Sequence, residues 1–234
     1  MNLFLLYGIS PDFGEGRSMY PVYKAYVFDF DYTLVNSEQG IVMCFEMLLR
    51  DEGYPPVPRA KICSTIGKTM FDAMSILTGE TDKGRLAHLI RLYKVNYSDY
   101  HMTPNTHLYP QTKPALTYLK EHGALCCIVS TKTRHRINQT LEREHMEPLI
   151  DLVVGVEDVP EAKPAPCGIQ AVQKQFHLQP ADILYIGDSL IDADTAVNSG
   201  VDFAAVTTGA TPAAAFSDRP HIQIMSDLSE LCRL

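Results

Sequence analysis

Ala25-Tyr26-Val27-Phe28-Asp29-Phe30-Asp31-Tyr32-Thr33 sets the pattern for the rest of the chain. Its opening is apolar, aromatic and β-branched over only a few residues, which suits a buried strand better than a helix. It then gives way to two carboxylic acids one residue apart. Runs of the same kind recur at 124–129, 152–154, 183–186 and 203–206, with a weaker one at 221–224. Helical stretches lie among them. Residues 113–122 stop at Gly123 and 193–199 stop at Gly200, while 135–145 and 165–176 have the spacing of amphipathic crossover helices. Strand alternating with helix predicts an α/β fold, a Rossmann-like parallel sheet covered on both faces.

The interval 36–107 breaks this rhythm. Residues 40–51, 69–77 and 83–100 read as helices, 54–58 as a Pro-rich break, and no buried strand stands out. The expectation is an all-helical insert after the first strand, bordered by hinges near 35–37 and 102–109. The catalytic core would then be 19–36 and 106–234, the helical cap 37–105, and 1–18 a flexible leader or a start mis-assigned ahead of Met19.

Composition narrows the function classes. The 234 residues carry a net charge of −8, with 20 basic against 28 acidic side chains. That balance gives no electrostatic footprint for nucleic acid, so an anionic ligand needs a local cation or metal. No apolar run reaches membrane-spanning length, and the apolar start at 3–7 lacks the preceding positive charge of a secretory signal. The six cysteines show no CxxC or Cys/His spacing typical of zinc and read as buried free thiols of a cytoplasmic protein. The sequence sets no oligomeric state.

In an open parallel sheet, ligands bind beyond the carboxyl ends of the strands. Those ends carry Asp29 and Asp31 with Thr33, then Ser130-Thr131-Lys132, then Lys163-Pro164, then Gly187-Asp188 with Asp192. Clustered carboxylates are costly to desolvate unless paired or bound to metal. An oxygen-rich set suits a hard cation such as magnesium, and a hydroxyl and an ammonium suit a phosphoryl group. Taken singly, Asp29-Phe30-Asp31 fits a polar turn, Ser130 a helix cap, and Lys132 an exposed loop charge. Asp194 fits an acid near a helix start. The eight histidines have no ligand spacing, and Tyr97, Tyr100 and Tyr109 read as packing. Four such clusters at four successive strand ends point instead to phosphoryl transfer, where positioning and charge stabilisation dominate.

These motifs, in this order, resemble the haloacid dehalogenase-like superfamily, in particular its phosphoglycolate-phosphatase-like branch with a helical cap. The resemblance runs from about Tyr23 to Gly209, and Asp158-Val-Pro-Glu-Ala-Lys163-Pro-Ala-Pro is similar to that branch in detail. It implies a phosphatase acting on a small phosphorylated metabolite. Asp29 would be the nucleophile and Asp31 the general acid and base. Ser130 and the Thr131 amide would hold phosphate oxygens, and Lys163 would neutralise charge. Mg2+ would be held by Asp29, the Asp31 carbonyl and Asp188, with Asp192 assisting directly or through water. Thr33 and Lys68, the latter within Ile66-Gly67-Lys68-Thr69, would lie on the substrate side, Lys68 facing the organic end, such as a carboxylate. Asp31 separates the chain from dehalogenases and phosphonate hydrolases of the superfamily, and Thr33 from the mutases, which more often have Val. A β-phosphoglucomutase-like mutase, an inorganic pyrophosphatase and a non-catalytic binding protein remain the alternatives. Tyr32 departs from the pattern, which has Gly there, so either the turn is an ordinary one or the ring narrows the entrance.

Overall fold

Strand β1 (Ala25–Phe28) opens the part of the chain that the computed structural model describes, residues 23–233; the leader expected at 1–18 lies outside it. The short β2 (Val35–Asn36) leads into five helices: α1 (Glu38–Asp51), α2 (Arg59–Cys63), α3 (Met70–Thr78), α4 (Lys83–Leu92) and α5 (Asp99–His101). A π-helical segment, Tyr93–Ser98, joins α4 to α5. The chain returns through β3 (His107–Leu108), which pairs antiparallel with β2. After it come α6 (Thr112–Glu121), β4 (Leu125–Val129), α7 (Arg134–Arg143) and β5 (Leu152–Val154). The rest is α8 (Cys167–Phe176), β6 (Ile183–Gly187), α9 (Leu190–Ser199), β7 (Asp202–Val206) and β8 (Gln223–Met225).

The main sheet has the order β5-β4-β1-β6-β7-β8, and every pairing in it is parallel. Period-2 alternation splits its side chains between two cores. Phe28, Ile128 and Ile186 pack on one face with α6 and α7, and Val27, Cys127 and Tyr185 on the other with α8 and α9. A third core, including Val42, Phe45, Leu48, Met74 and Leu89, lies within the helical segment alone. Strand order reverses at β1, whose neighbours β4 and β6 are reached in opposite directions, so the crevice for a ligand opens at its carboxyl end.

The apolar run 25–30 is a strand only to Phe28. The Phe30 carbonyl accepts the amides of Thr33, Leu34 and Val35, curling the chain off the sheet. Residues 83–100 are not one α-helix, because the π-helical segment interrupts them. α2, β2 and β3 were unforeseen, being too short to show a period. α9 begins at Leu190, ahead of the expected 193, because Ser189 and Asp192 form a capping box there. Of the cysteines whose burial is described, Cys44, Cys126 and Cys127 are buried, but Cys63 and Cys167 are only half-buried, since both lie at the ends of helices. Among the described residues no helix is long and apolar enough to cross a membrane.

Candidate active site

The ends of β1, β4 and β6 and the loop before α8 converge on one buried cluster. Asp29 follows β1 and is 1% exposed. Its amide donates to the Ile186 carbonyl at 2.9 Å, which fixes it to the neighbouring strand. Lys163 spends all three ammonium donors here, on Asp29 Oδ1 (3.0 Å), Asp192 Oδ1 (2.6 Å) and the Tyr185 hydroxyl oxygen (3.0 Å). Burial would drive this lysine toward neutrality, but the Asp192 and Asp29 carboxylates outweigh it and hold the ammonium charged. Burial pushes Asp29 up to about 6, against the pull of Lys163; Asp192 raises it further and the Ser130 hydroxyl lowers it. Asp188, just after β6, is raised well above the carboxylate range by burial and by Asp192 and Asp29.

Asp29, Asp188 and Asp192 can each bring a carboxylate oxygen within 4.8 Å of the other two. Three buried carboxylates thus face one ammonium, a set short of positive charge, and a divalent cation with oxygen preference fits it. The three are not equivalent. Asp192 Oδ1 accepts from Lys163 and Tyr185, and its Oδ2 from the amide and hydroxyl of Ser189. Its oxygens being engaged, Asp192 orients Lys163, and Asp29 and Asp188 are left with capacity for a cation. Thr33, expected on the substrate side, is instead 1% exposed, and its hydroxyl donates to Asp188 Oδ1 at 3.3 Å. It stands beneath the cluster because the curl after Phe30 turns it inward.

Asp31 sits in a different setting. Lys132 bridges both its oxygens, at 2.9 and 3.2 Å, and the pair faces the cavity between sheet and helices. Lys132 is therefore not the exposed loop charge expected; its side chain is 9% exposed because Asp31 draws it inward. Ser130 lies at the end of β4, with its oxygen accepting the Lys132 amide at 3.3 Å. The Thr131 hydroxyl donates to the Gly67 carbonyl at 3.1 Å and joins the core loop to the helical segment. Lys68, next along, is half-buried on the cavity wall. The cavity measures about 530 Å3.

Sequence reasoning also missed Tyr185 and the loop after β7. Tyr185 lies inside an apolar run, yet a buried phenol needs a polar partner, and that was the available signal. At Gly209 a Cβ would overlap the Asp188 carboxylate, so the backbone there can press against the site only as glycine. Asp194 pairs with Arg219 at 2.6 Å, away from the cluster.

Tyr32 answers neither expectation made for it. Its φ is +62°, the left-handed region, so the turn is not ordinary. Its ring is buried and its hydroxyl donates to Glu38 Oε2 at 2.7 Å, so it does not narrow the entrance. The strain costs about 1–2 kcal/mol. Losing a buried aromatic ring costs about 3–5 kcal/mol. Tyr32→Gly should therefore destabilise by about 2 kcal/mol net, read as a fall in Tm of roughly 4–8 °C. An unchanged or higher Tm would mean the ring contributes less than the strain.

A model of the haloacid dehalogenase-like hydrolase family matches residues 26–206. The phosphoglycolate phosphatase of Cereibacter sphaeroides is 32% identical over 209 residues, covering 88% of this chain and 94% of that protein. The phosphoglycolate phosphatase of Rhodobacter capsulatus is 31% identical, with coverage of 88% and 94%. Among solved structures, a protein described as a haloacid dehalogenase-like hydrolase from Bacteroides fragilis superposes with a TM-score of 0.87. It is 42% identical and covers 89% of this chain and 99% of that one.

Proposed function

The chain belongs to the haloacid dehalogenase-like hydrolases, and from that premise we propose that it is a magnesium-dependent phosphatase acting on a small organic phosphate monoester through a phospho-aspartyl intermediate. The observation that carries the reading is the contrast between two carboxylates at one strand end. Asp29 is sealed in the cluster and tied to Lys163, while Asp31 borders the cavity with its own counter-ion, Lys132. That is the division a nucleophile and a proton carrier need.

A carboxylate oxygen of Asp29 attacks phosphorus as the ester P–O bond breaks, and Asp31, in its protonated form, gives its proton to the departing alkoxide oxygen. Asp31 then takes a proton from water as that water attacks phosphorus and releases Asp29. Lys163 offsets the charge gathered on Asp29 and phosphate, and Ser130 and the Thr131 amide donate to phosphoryl oxygens. Asp29, Asp188 and the Asp31 carbonyl would hold a magnesium ion, which would supply positive charge to offset that of the phosphoryl group. Relatives named phosphoglycolate phosphatase support the monoester class. Phosphate release from a panel of small phosphate esters, with magnesium and with chelator, tests the reading. Magnesium-dependent release supports it. Silence on every ester from a folded protein that binds magnesium would turn attention to a mutase needing a bisphosphate activator.

Protons and cation compete for the same oxygens. Because burial lifts Asp29 to about 6, lowering the pH through that value protonates it and weakens cation binding. Manganese affinity, followed by calorimetry, should fall about tenfold per pH unit below about 6 for the loss of one carboxylate. It should fall more steeply where Asp188 also takes a proton. A flat profile from pH 5 to 7.5 would remove Asp29 from the ligand set.

A further inference from the structure

The cavity over Asp31 is larger and more apolar than a two-carbon acid requires. At about 530 Å3 it lies in the range of sites for drug-sized ligands, about 300–1,000 Å3. Asp31, Thr131 and Lys132 mark the approach of phosphate, Lys94, Asp99 and His135 are exposed lining residues, and Lys68 is half-buried on the wall. The apolar part of the wall is Ile41, Phe45, Ile66, Met70, Ile90 and Tyr93. Phe45 and Tyr93 pack ring to ring with centroids 4.6 Å apart, forming a firm aromatic floor.

The space does not come from a gaping helical segment. Thr131 already bonds the Gly67 carbonyl, the Arg136 guanidinium of α7 pairs with Asp99, and Arg143 donates to the Thr103 and Thr106 carbonyls. Two of the cations on the cavity wall are engaged, Lys132 with Asp31 and Arg136 with Asp99 and Gln139, while Lys94 is exposed and Lys68 half-buried. A carboxylate buried among the apolar side chains themselves would carry a steep desolvation cost. The π-helical segment Tyr93–Ser98 contributes Tyr93, Lys94 and Ser98 to the lining. That geometry is rare and concentrates at functional sites.

We propose that the leaving group is a bulky, largely apolar alcohol, so that the substrate class is phosphate monoesters bearing a long chain or a ring rather than a two-carbon acid. The inference rests on the phosphatase reading for its chemistry and on the cavity for its class. Its test is a matched series of ethyl, butyl and hexyl phosphate beside phosphoglycolate, with binding of the corresponding alkylphosphonates, which are not hydrolysed, measured by calorimetry in magnesium. Each buried methylene should raise kcat/KM and phosphonate affinity about threefold to fourfold, so hexyl should exceed ethyl by roughly 100-fold. Met70→Glu should collapse that ratio in both measurements. It places an acid in the first turn of α3, where the helix dipole favours it, at a half-buried position beside the helical core, and a Tm like the parent's is the check that the fold is kept.

A chain-length series that is flat in both measurements, or phosphoglycolate turned over better than hexyl phosphate, overturns the inference and leaves the phosphatase standing. A rising phosphonate series with no ester hydrolysed does the reverse: it supports the apolar class and removes the phosphatase.

Discussion

Asp29→Asn should abolish magnesium-dependent phosphate release, lowering kcat by on the order of 10^4-fold or more, the scale seen when a nucleophile is removed. The amide keeps the shape of the carboxylate but cannot attack phosphorus. The fold should survive the change. Burial, with a smaller push from the Asp192 carboxylate, lifts the Asp29 pKa to about 6, and Lys163 keeps Asp192 at 2.6 Å as a partner. Neutralising one member of a crowded acidic set is close to neutral for stability or mildly favourable. A variant that is inactive but melts like the parent therefore isolates the chemistry.

Asp31→Asn supplies the complementary result. With an aryl phosphate, whose leaving group needs little protonation, it should still be phosphorylated on Asp29 but lack the base that activates water. The protein should then gain the mass of one phosphoryl group on mixing with substrate, and the double variant should gain none. Turnover by Asp29→Asn at a tenth of the parent rate would sink the nucleophile assignment. A water-activated mechanism would take its place.

How far the sequence reaches depends on whether the deciding interaction is local. The parallel α/β core was legible because apolar runs such as 183–186 and glycine stops such as Gly200 are properties of neighbouring residues. Asp29, Ser130, Lys163 and Asp188 stood out because strand ends are where a parallel sheet binds ligands. Lys132 did not, since the carboxylate that draws it inward is 101 positions away. The use of Asp192 was equally hidden. Only the fold shows that Tyr185 and Ser189 already occupy its oxygens beside Lys163. Tyr32 could be flagged as out of pattern, but its left-handed backbone and its bond to Glu38 are tertiary facts. The strands β2 and β3, two residues each, are shorter than any period that could announce them.

Lys163→Met should cost both stability and activity, and the two losses can be separated. The Lys163 side chain is 4% exposed and its ammonium bridges two buried carboxylates. Removing it leaves Asp29 and Asp192 without their shared counter-ion, and breaking such a pair from one side costs about 3–5 kcal/mol. For a chain of this length that corresponds to a fall in Tm of roughly 6–20 °C. Adding Asp192→Asn should restore much of the loss, because the carboxylate held at 2.6 Å no longer carries an uncompensated charge. Activity should not return with it, since neither Met nor Asn offsets charge on Asp29 and phosphate. Lys163→Arg should rescue neither property fully, because a planar fork cannot reach three acceptors arranged around one ammonium. Magnesium should raise the Tm of Lys163→Met more than that of the parent, since the cation then stands in for a missing neighbouring charge. A single variant that melts like the parent and keeps magnesium-dependent turnover would show that Asp29 and Asp192 do not depend on Lys163. The cluster would then have to be held by the cation alone.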